Sequence, residues 1–413
     1  MQQVLYKLPD GWSWRKLSEL AKTTSGGTPS RSNKHYWGGS IPWVKSGELG
    51  DSRVEKNEEF ITELGLKNSS AKLFPKESLL LALYGATAGK LGVLTYDAAT
   101  NQAVCCINQD DQLLARDFLR YYLLSQRKKI IEDSFGGAQP NISQAYVREI
   151  DIPTPPLTEQ KRIVEKLDAL LTRIDTAIEN LQESIRLADA LFSSALNRVF
   201  NPSGTKVNFD SCYGLPEGWD WRTVNDLSTK IQYGHTAKAA DKGNAQFLRI
   251  TDIQDNNIDW LGVPFVDLKE KEIEKYALKD NDLVFARSGA TAGKSILIKE
   301  PPRNAIFASY LIRIVPDKET IQPEYLELFF KSPAYWDIVK ANAAGAAQPN
   351  INGTKLGEFK VPTPSMEIQK RIVDEMSSLS ARVTELKKEL RDKVYFIESA
   401  KSSILNSAFK GEL

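Results

Sequence analysis

The residues best placed to do chemistry in this sequence form one hexapeptide written twice, "GATAGK" at 85–90 and again at 289–294. A glycine-rich loop ending in lysine has the composition of a phosphate cradle, in which backbone N–H groups and an ammonium surround the anion. The spacing argues against a nucleotide. A Walker-type loop needs GxxxxGK, but Gly85 and Gly89, like Gly289 and Gly293, stand one residue too close. Leu91 occupies the position of the magnesium-ligating hydroxyl in the first copy, although the second copy has Ser295. The segments that follow, "KLGVLTY" (90–96) and "KSILIKE" (294–300), have strand character, so no helix N-terminus aims its dipole at an anion. Two readings stay open. The loop is a turn between strands that glycine permits, or its small residues let the backbone approach a polyanion whose phosphates meet Lys90 and Lys294.

Other catalytic patterns are missing. The sequence has no nucleophile elbow, no HExxH, no kinase set and no Asn/Asp-Pro-Pro-Tyr/Phe element of an amino-methyltransferase. Cys105, Cys106 and Cys212 show no CxxC spacing, and His35 and His235 are the only histidines, so neither a zinc site nor a disulfide framework is expected. With 54 basic and 53 acidic residues no global field advertises a nucleic acid, though a local basic face would suffice for one. The N-terminus lacks a signal core, and the longest apolar run, 79–85, is too short to span a bilayer. These features point to a cytoplasmic protein without a membrane partner that is not itself an enzyme.

The elements that must position the two loops are also duplicated. "LPDGWSW" (8–14) returns as "LPEGWDW" (215–221), and "IPWVKSGEL" (41–49) stands opposite "AQFLRITDI" (245–253). "AQPNIS" (138–143) returns as "AQPNIN" (347–352), and "IPTPPLTEQKRIVEKL" (152–167) as "VPTPSMEIQKRIVDEM" (361–376). Even "ALNRVF" (195–200) matches "ILNSAF" (404–409), so one unit is used twice. Strands are expected at 78–85, 90–96, 282–289, 294–300 and 310–316, and helices at 117–131 and 324–339. Trp12/Trp14 and Trp219/Trp221 read as packing pairs, alternation placing both rings on one strand face.

Each unit ends in a long amphipathic helix. After "PTPP" (153–156), apolar residues recur at Ile163, Leu167, Leu170, Ile174, Ala177, Leu181, Ala188 and Ala195, flanked by a row at Leu171, Ile178, Ile185, Phe192 and Val199. The second copy repeats the seam at Ile372, Met376, Leu379, Val383, Leu386, Leu390 and Ile397. Such a narrow stripe, roughly 60 Å long at 1.5 Å per residue, needs a second helix, and its own duplicate is the obvious one. The expected fold class is α+β: two mixed α/β domains (1–152 and 204–361) with pseudo-two-fold symmetry, separated by two antiparallel coiled-coil helices (153–203 and 362–413). Connectivity and an approximate two-fold axis then put a globular head at each end of the rod.

The segment "SGGTPSRSNKHYWGGSIPWVKSGEL" (25–49), both "GATAGK" loops, "AQPNI" at 138–142 and 347–351, and the paired "IPTPPLTEQKRIV" and "VPTPSMEIQKRIV" resemble the specificity subunit of type I restriction-modification systems. The resemblance covers essentially the whole chain. It implies that each head is a target recognition domain reading one half of a split, asymmetric site in double-stranded DNA. It implies that the helices hold the heads apart and dock two methyltransferase subunits. The chain itself would carry no cofactor: S-adenosylmethionine belongs to those subunits, and ATP with magnesium to restriction or translocase subunits that can join. The competing class is a coiled-coil adaptor that assembles proteins without touching DNA.

Base readout favours donor-rich side chains, with arginine suited to guanine and Asn or Gln to adenine. In the first head the candidates are Thr28, Ser30, Arg31, Lys34, Lys45, Ser46, Tyr84, Thr87 and Lys90. In the second they are Tyr233, His235, Lys238, Arg249, Thr251, Arg287, Ser288, Thr291 and Lys294. Gln139, Asn141, Gln348 and Asn350 are expected to fix the turn from head to helix and to touch the partner subunit. The tips themselves differ, since 23–39 has no counterpart in 229–245. Unlike tips on a common spacer suit a device for reading two different short sequences.

Overall fold

The computed structural model describes residues 6–134, 141–202, 204, 214–254, 257–287, 292–343 (341–343 as backbone) and 351–413. The chain divides into two compact units, one comprising Met1–Leu181 with Asp392–Leu413 and the other Gln182–Arg391. Each unit therefore contains one head and a part of each long helix.

In the first unit, β1 (Ser13–Lys16), β2 (Ala21–Ser25), β3 (Trp37–Val44), β4 (Glu59–Ile61), β5 (Leu79–Ala82), β6 (Leu91–Leu94), β7 (Ala98–Thr100) and β8 (Val104–Gln109) precede α1 (Arg116–Glu132). A strand β9 (Asp151–Thr154) then leads into α2 (Leu157–Phe200). The main sheet runs β2-β8-β5-β6 antiparallel, with the two-residue strand Arg53–Val54 added parallel to β6, and a second sheet pairs β3 with β4 and β7. The run "LLLA" looks uniformly apolar because both faces of β5 are covered. Leu79 and Leu81 enter the core under α1, whereas Leu80 and Ala82 enter a second core with Val104 and Cys106.

The second unit repeats this plan with β10 (Asp220–Thr223), β11 (Ser228–Tyr233), β12 (Ala245–Leu248), β13 (Leu283–Ala286), β14 (Ser295–Leu297), β15 (Ala305–Phe307) and β16 (Leu311–Pro316). Helices α3 (Pro323–Lys331) and α4 (Pro333–Ala343), strand β17 (Lys360–Thr363) and helix α5 (Met366–Lys410) follow. Its main sheet, β11-β16-β13-β14, has the order of the first. The single helix expected over 324–339 is broken at Ser332-Pro333. Proline has no N–H to donate and disfavours helical backbone before it. Ser332 is fully buried at the break, where its Oγ donates to Phe329 O at 2.6 Å and accepts from Tyr335 N at 3.3 Å.

The duplicated motifs turn out to be one another's partners. The tryptophan motif pairs with the proline motif: Trp14 lies opposite Pro153 in the β1–β9 ribbon, and Trp221 opposite Pro362 in β10–β17. Proline is tolerated because these ribbons have only two strands. Trp12 and Trp219 precede their strands, so the expected shared strand face does not form. Trp12, Trp14 and Trp219 nonetheless pack on the cores. Tyr122 on α1 and Tyr325 on α3 each donate at 2.7 Å to a carbonyl of the strand before the long helix, Asp151 O and Pro362 O.

The long helices contain 44 and 45 residues. In the first unit Arg162 Nη2 donates to Leu413 O at 2.7 Å and Lys401 meets Asp175 at 2.5 Å, so α2 and α5 run antiparallel there. In the second unit Leu196 and Phe200 share a core with Ile372 and Met376, and Lys387 meets Asp189 at 2.5 Å, again antiparallel. Each head is completed by the far end of a long helix. Phe409 packs edge-on against Phe118 and Tyr122 at 5.2 and 5.1 Å; Phe200 meets Tyr325 at a tilt at 5.3 Å and Phe329 edge-on at 5.5 Å. One seam position departs from the heptad reading, since Leu386 is 45% exposed.

Candidate nucleic-acid interface

The loops between strands gather at one end of each main sheet. In the first unit β2 ends at Ser25, β8 begins at Val104, β5 ends at Ala82 and β6 begins at Leu91, and the ladders place these termini side by side. Strand β3 runs parallel to β7 and ends there too, Val44 opposite Thr100. The loops 26–36, 45–48, 83–90 and 101–103 therefore start from one edge. Thr28, Ser30, Arg31, Lys45, Ser46, Tyr84, Thr87 and Lys90, scattered over sixty residues of sequence, all belong to them. Lys34 lies at the far end of the 26–36 loop, exposed in the turn that leads into the start of β3.

The "GATAGK" segment is a closed hairpin loop, with Gly89 N donating to Ala82 O and Ala82 N to Lys90 O, both at 2.9 Å. Strand β6 follows at once, which disposes of the helix that a nucleotide loop requires. Gly85 and Gly89 have φ of 87° and 79°, the left-handed region where a side chain is strained. The Gly89 carbonyl accepts from Arg127 Nε of α1 at 2.9 Å, and Arg127 also pairs with Asp51. In the second unit the same closure joins Gly293 N to Ala286 O and Ala286 N to Lys294 O, both at 2.9 Å. There the Gly293 carbonyl accepts from Tyr335 Oη at 3.0 Å. One acceptor is kept and its donor is exchanged. Lys90 is half-buried and Lys294 exposed, and neither has a carboxylate partner among the described residues.

The "AQPNI" element docks onto this loop. Ile142 N donates to Leu83 O at 2.7 Å, Asn141 bridges Tyr84, and in the second unit Ile351 N donates to Arg287 O at 2.9 Å. Asn141 thus belongs to the sheet end and not to the turn into the long helix, which a short helix (Gln144–Arg148) and β9 separate from it. Gln139, Gln348 and Asn350 lie outside the described residues.

Arg31 has the most elaborate surroundings. Its guanidinium carbon sits 3.7 Å from the Trp37 ring centroid and 5.0 Å from that of Trp43, and its Nη1 donates to Glu59. The two indoles stand edge to face at 5.0 Å and hold the loop by its carbonyls, Trp37 Nε1 to Ser30 O at 3.2 Å and Trp43 Nε1 to Gly27 O at 2.9 Å. Thr28 donates to Gln102, and Ser30 lies 2.8 Å from Ser32. Lys45 meets Glu58 at 2.7 Å and Glu59 at 3.2 Å. Arg31, with help from Lys45, holds the Glu59 carboxyl below its ordinary range, and Glu58 with Glu59 raises the Lys45 ammonium. Gly26 must be glycine, because a methyl group there would lie 2.1 Å from Thr100 Oγ1; at Gly234 it would lie 2.2 Å from Ala308 O.

The second unit gathers its candidates at the matching edge. Tyr233 ends β11, where its Oη accepts from Gly353 N at 2.7 Å and the Arg287 guanidinium lies 5.1 Å from its ring. His235 donates its N–H to Phe307 O, and its ring lies 5.1 Å from Tyr276. Lys238 follows in the same loop, exposed. Arg249 directly follows β12 and forks onto Asp252 at 2.7 and 3.1 Å, which raises its pKa; Thr251 is exposed nearby. Ser288 and Thr291 lie outside the described residues.

Sequence reasoning missed the carboxylates Glu58, Glu59 and Asp252, the pedestal Trp37, and the loop anchors Arg127 and Tyr335. A further pair, Gln160 and Gln369, identical in the two long-helix starts and fully buried, is one that comparing the two copies could have found. Among the described residues no three or more His, Cys, Asp and Glu side chains converge as metal ligands, and no helix is long and apolar enough to cross a membrane. Cys105 and Cys106 are buried, and burial pushes their thiols to about 12 and about 11.

A doubled recognition head on paired long helices defines a specificity protein of DNA modification systems. The chain belongs to the type I restriction modification DNA specificity family, whose domain matches residues 9–187 and 216–395. It is similar to the type I restriction enzyme EcoKI specificity subunit of Escherichia coli (strain K12), 26% identical over 98% of this chain and 90% of that one. The EcoR124I/EcoR124II specificity subunit of Escherichia coli is 30% identical, over 46% of this chain and 48% of that one. The fold matches the HsdS subunit from Thermoanaerobacter tengcongensis with a TM-score of 0.56 at 20% identity over the whole of both chains. A chain solved in a study of complex assembly and conformational transition of the type I R-M system gives a TM-score of 0.80 at 20% identity, over 99% of this chain and all of that one. The protein is thus a specificity subunit of a type I restriction enzyme, carrying the DNA recognition domain twice.

Proposed function

We propose that each head (1–152 and 204–361) reads one half of a bipartite, asymmetric site in double-stranded DNA, and that the edge where the loops gather is the reading face. The observation that carries this is the contrast between framework and tip. Both units close the "GATAGK" loop with the same two hydrogen bonds and dock the isoleucine after "AQPN" beside it. On that common frame stand unlike loops, Arg31 over Trp37 in one and Arg287 beside Tyr233 in the other. Residues common to both heads suit the DNA backbone, which is the same everywhere, and residues that differ suit the bases.

The long helices (153–203 and 362–413) set the gap between half-sites and dock two methyltransferase subunits, with Gln139, Gln348 and Asn350 near that contact, whereas Asn141 serves the loop beside Tyr84. S-adenosylmethionine is brought by those subunits, and ATP with magnesium by restriction subunits that join later. The work is done in the cytoplasm, and this chain contributes recognition without catalysis.

The test is to produce the full chain with its modification subunits in a host and map the methylated bases across the genome. A split motif with two unlike halves and a fixed gap is expected. Exchanging residues 21–100 for 228–303 should alter one half and leave the gap. Absence of any motif, with the assembled complex intact, would sink the reading in favour of a protein-assembling adaptor.

A further inference from the structure

The two heads must differ where the bases differ, and the segment 23–39 is where the first head has no counterpart in the second. The one cation on that segment with a built mounting is Arg31. Its guanidinium lies flat enough on Trp37 to bring the carbon within 3.7 Å of the ring centroid, and Trp43 closes one side at 5.0 Å. Glu59 takes Nη1, and Lys45 holds the other Glu59 oxygen at 3.2 Å, so the carboxylate is itself fixed. The side chain is still 54% exposed. No described contact uses Nε or Nη2, and these two donors form the second edge of the guanidinium fork. A planar pair of N–H groups, held by stacking on a side chain that stays more than half exposed, is the shape that meets O6 and N7 of guanine.

From this we infer that Arg31 reads a guanine in the half-site of the first head, through Nε and Nη2, with Trp37 and Glu59 as positioning residues. The inference rests on the first head being a reader of DNA and adds which base and which side chain. Pre-organisation is what makes the site specific. A free arginine loses several rotamers on binding and can reach phosphates as easily as bases, whereas a stacked and ion-paired one has lost them already. Glu59 also lowers the net charge beside the guanidinium, which weakens unspecific attraction to phosphate without touching the hydrogen-bonding edge.

The test uses the full chain assembled with its modification subunits and a randomised duplex DNA library, selected by binding and sequenced. The unaltered complex should select a half-site holding an invariant guanine. Arg31→Lys, which keeps the charge and loses the fork, should relax that one position by roughly 10- to 100-fold while every other position stays selected. Arg31→Ala should do the same. Glu59→Gln should keep guanine preferred there with reduced discrimination. Equal weakening at all positions with Arg31→Lys would make Arg31 a structural staple and overturn the inference, as would an unchanged profile or a first-head half-site without guanine. If the unaltered complex selects no split site, the failure lies with the reading of the heads as half-site readers.

Discussion

Gln160 Oε1 accepts the backbone N–H of Ala115 at 2.7 Å, a hydrogen bond that fastens the start of a long helix to the start of a head helix. The second unit repeats it, with Gln369 Oε1 accepting from Gln322 N at 2.9 Å. Each amide also donates twice, Gln160 Nε2 to Leu113 O and Pro155 O at 2.9 Å, and Gln369 Nε2 to Pro364 O at 2.9 Å and Thr320 O at 3.3 Å. Both glutamines are fully buried. Replacing either by leucine strands one N–H and two carbonyls, each unsatisfied buried group costing about 1–3 kcal/mol. Urea unfolding of the full chain should show a lower midpoint for Gln160→Leu and Gln369→Leu, and the Ala115 amide should exchange faster in the first. The exposed neighbour change Lys161→Ala should leave both measurements as they were.

A buried ion pair distinguishes the second head. Arg313 Nη1 lies 3.3 Å from Asp282 Oδ2, with side-chain exposures of 6% and 4%. Arg313 also donates to Ala277 O and Gln232 Oε1, both at 2.5 Å. The sheet registers place Cys106 and Ser78 at these positions in the first head. Removing one partner leaves a buried charge, so Asp282→Asn or Arg313→Met alone should cost about 3–5 kcal/mol. Asp282→Ser combined with Arg313→Cys, copying the first head, should recover part of that loss. A double-mutant cycle by chemical unfolding measures the coupling, and strict additivity would contradict it.

Glu59 should respond to acid. Its folded pKa lies below its ordinary value of 4.5, chiefly through the hydrogen bond from Arg31 and then that from Lys45. A depressed carboxylate contributes stability above its unfolded pKa and loses it as pH falls through the folded one. Side-chain carboxyl NMR should therefore find Glu59 titrating below the ordinary glutamate value of 4.5. Arg31→Ala should move it upward, though not fully back, because Lys45 remains.

Lys90 and Lys294 end the two "GATAGK" loops with no ion-paired carboxylate among the described residues, which suits contact with phosphate. Each phosphate contact steepens the salt dependence of binding by about 0.9 in log–log slope. Lys90→Ala with Lys294→Ala in the assembled complex should flatten that slope by about 2 and leave the selected sequence unchanged. Filter or fluorescence titrations at several salt concentrations decide it. A loss of base preference would move these lysines from backbone to readout.

The sequence alone determined the doubled plan, the strands on either side of each "GATAGK", the antiparallel long helices and the failure of the nucleotide reading. These follow from local periodicity, from glycine spacing and from repeats, all of which act over a few residues or are visible by comparing the chain with itself. Tertiary structure alone decided which motifs are partners. Nothing local links "LPDGWSW" to "IPTP" or "AQPNI" to "GATAGK", because strand pairing and docking join residues far apart in the chain. It also decided that Arg31 and Lys45 share Glu59 and that Asn141 serves the loop. A charge's neighbours are set by how strands lie side by side, and the order of residues along the chain does not contain that information.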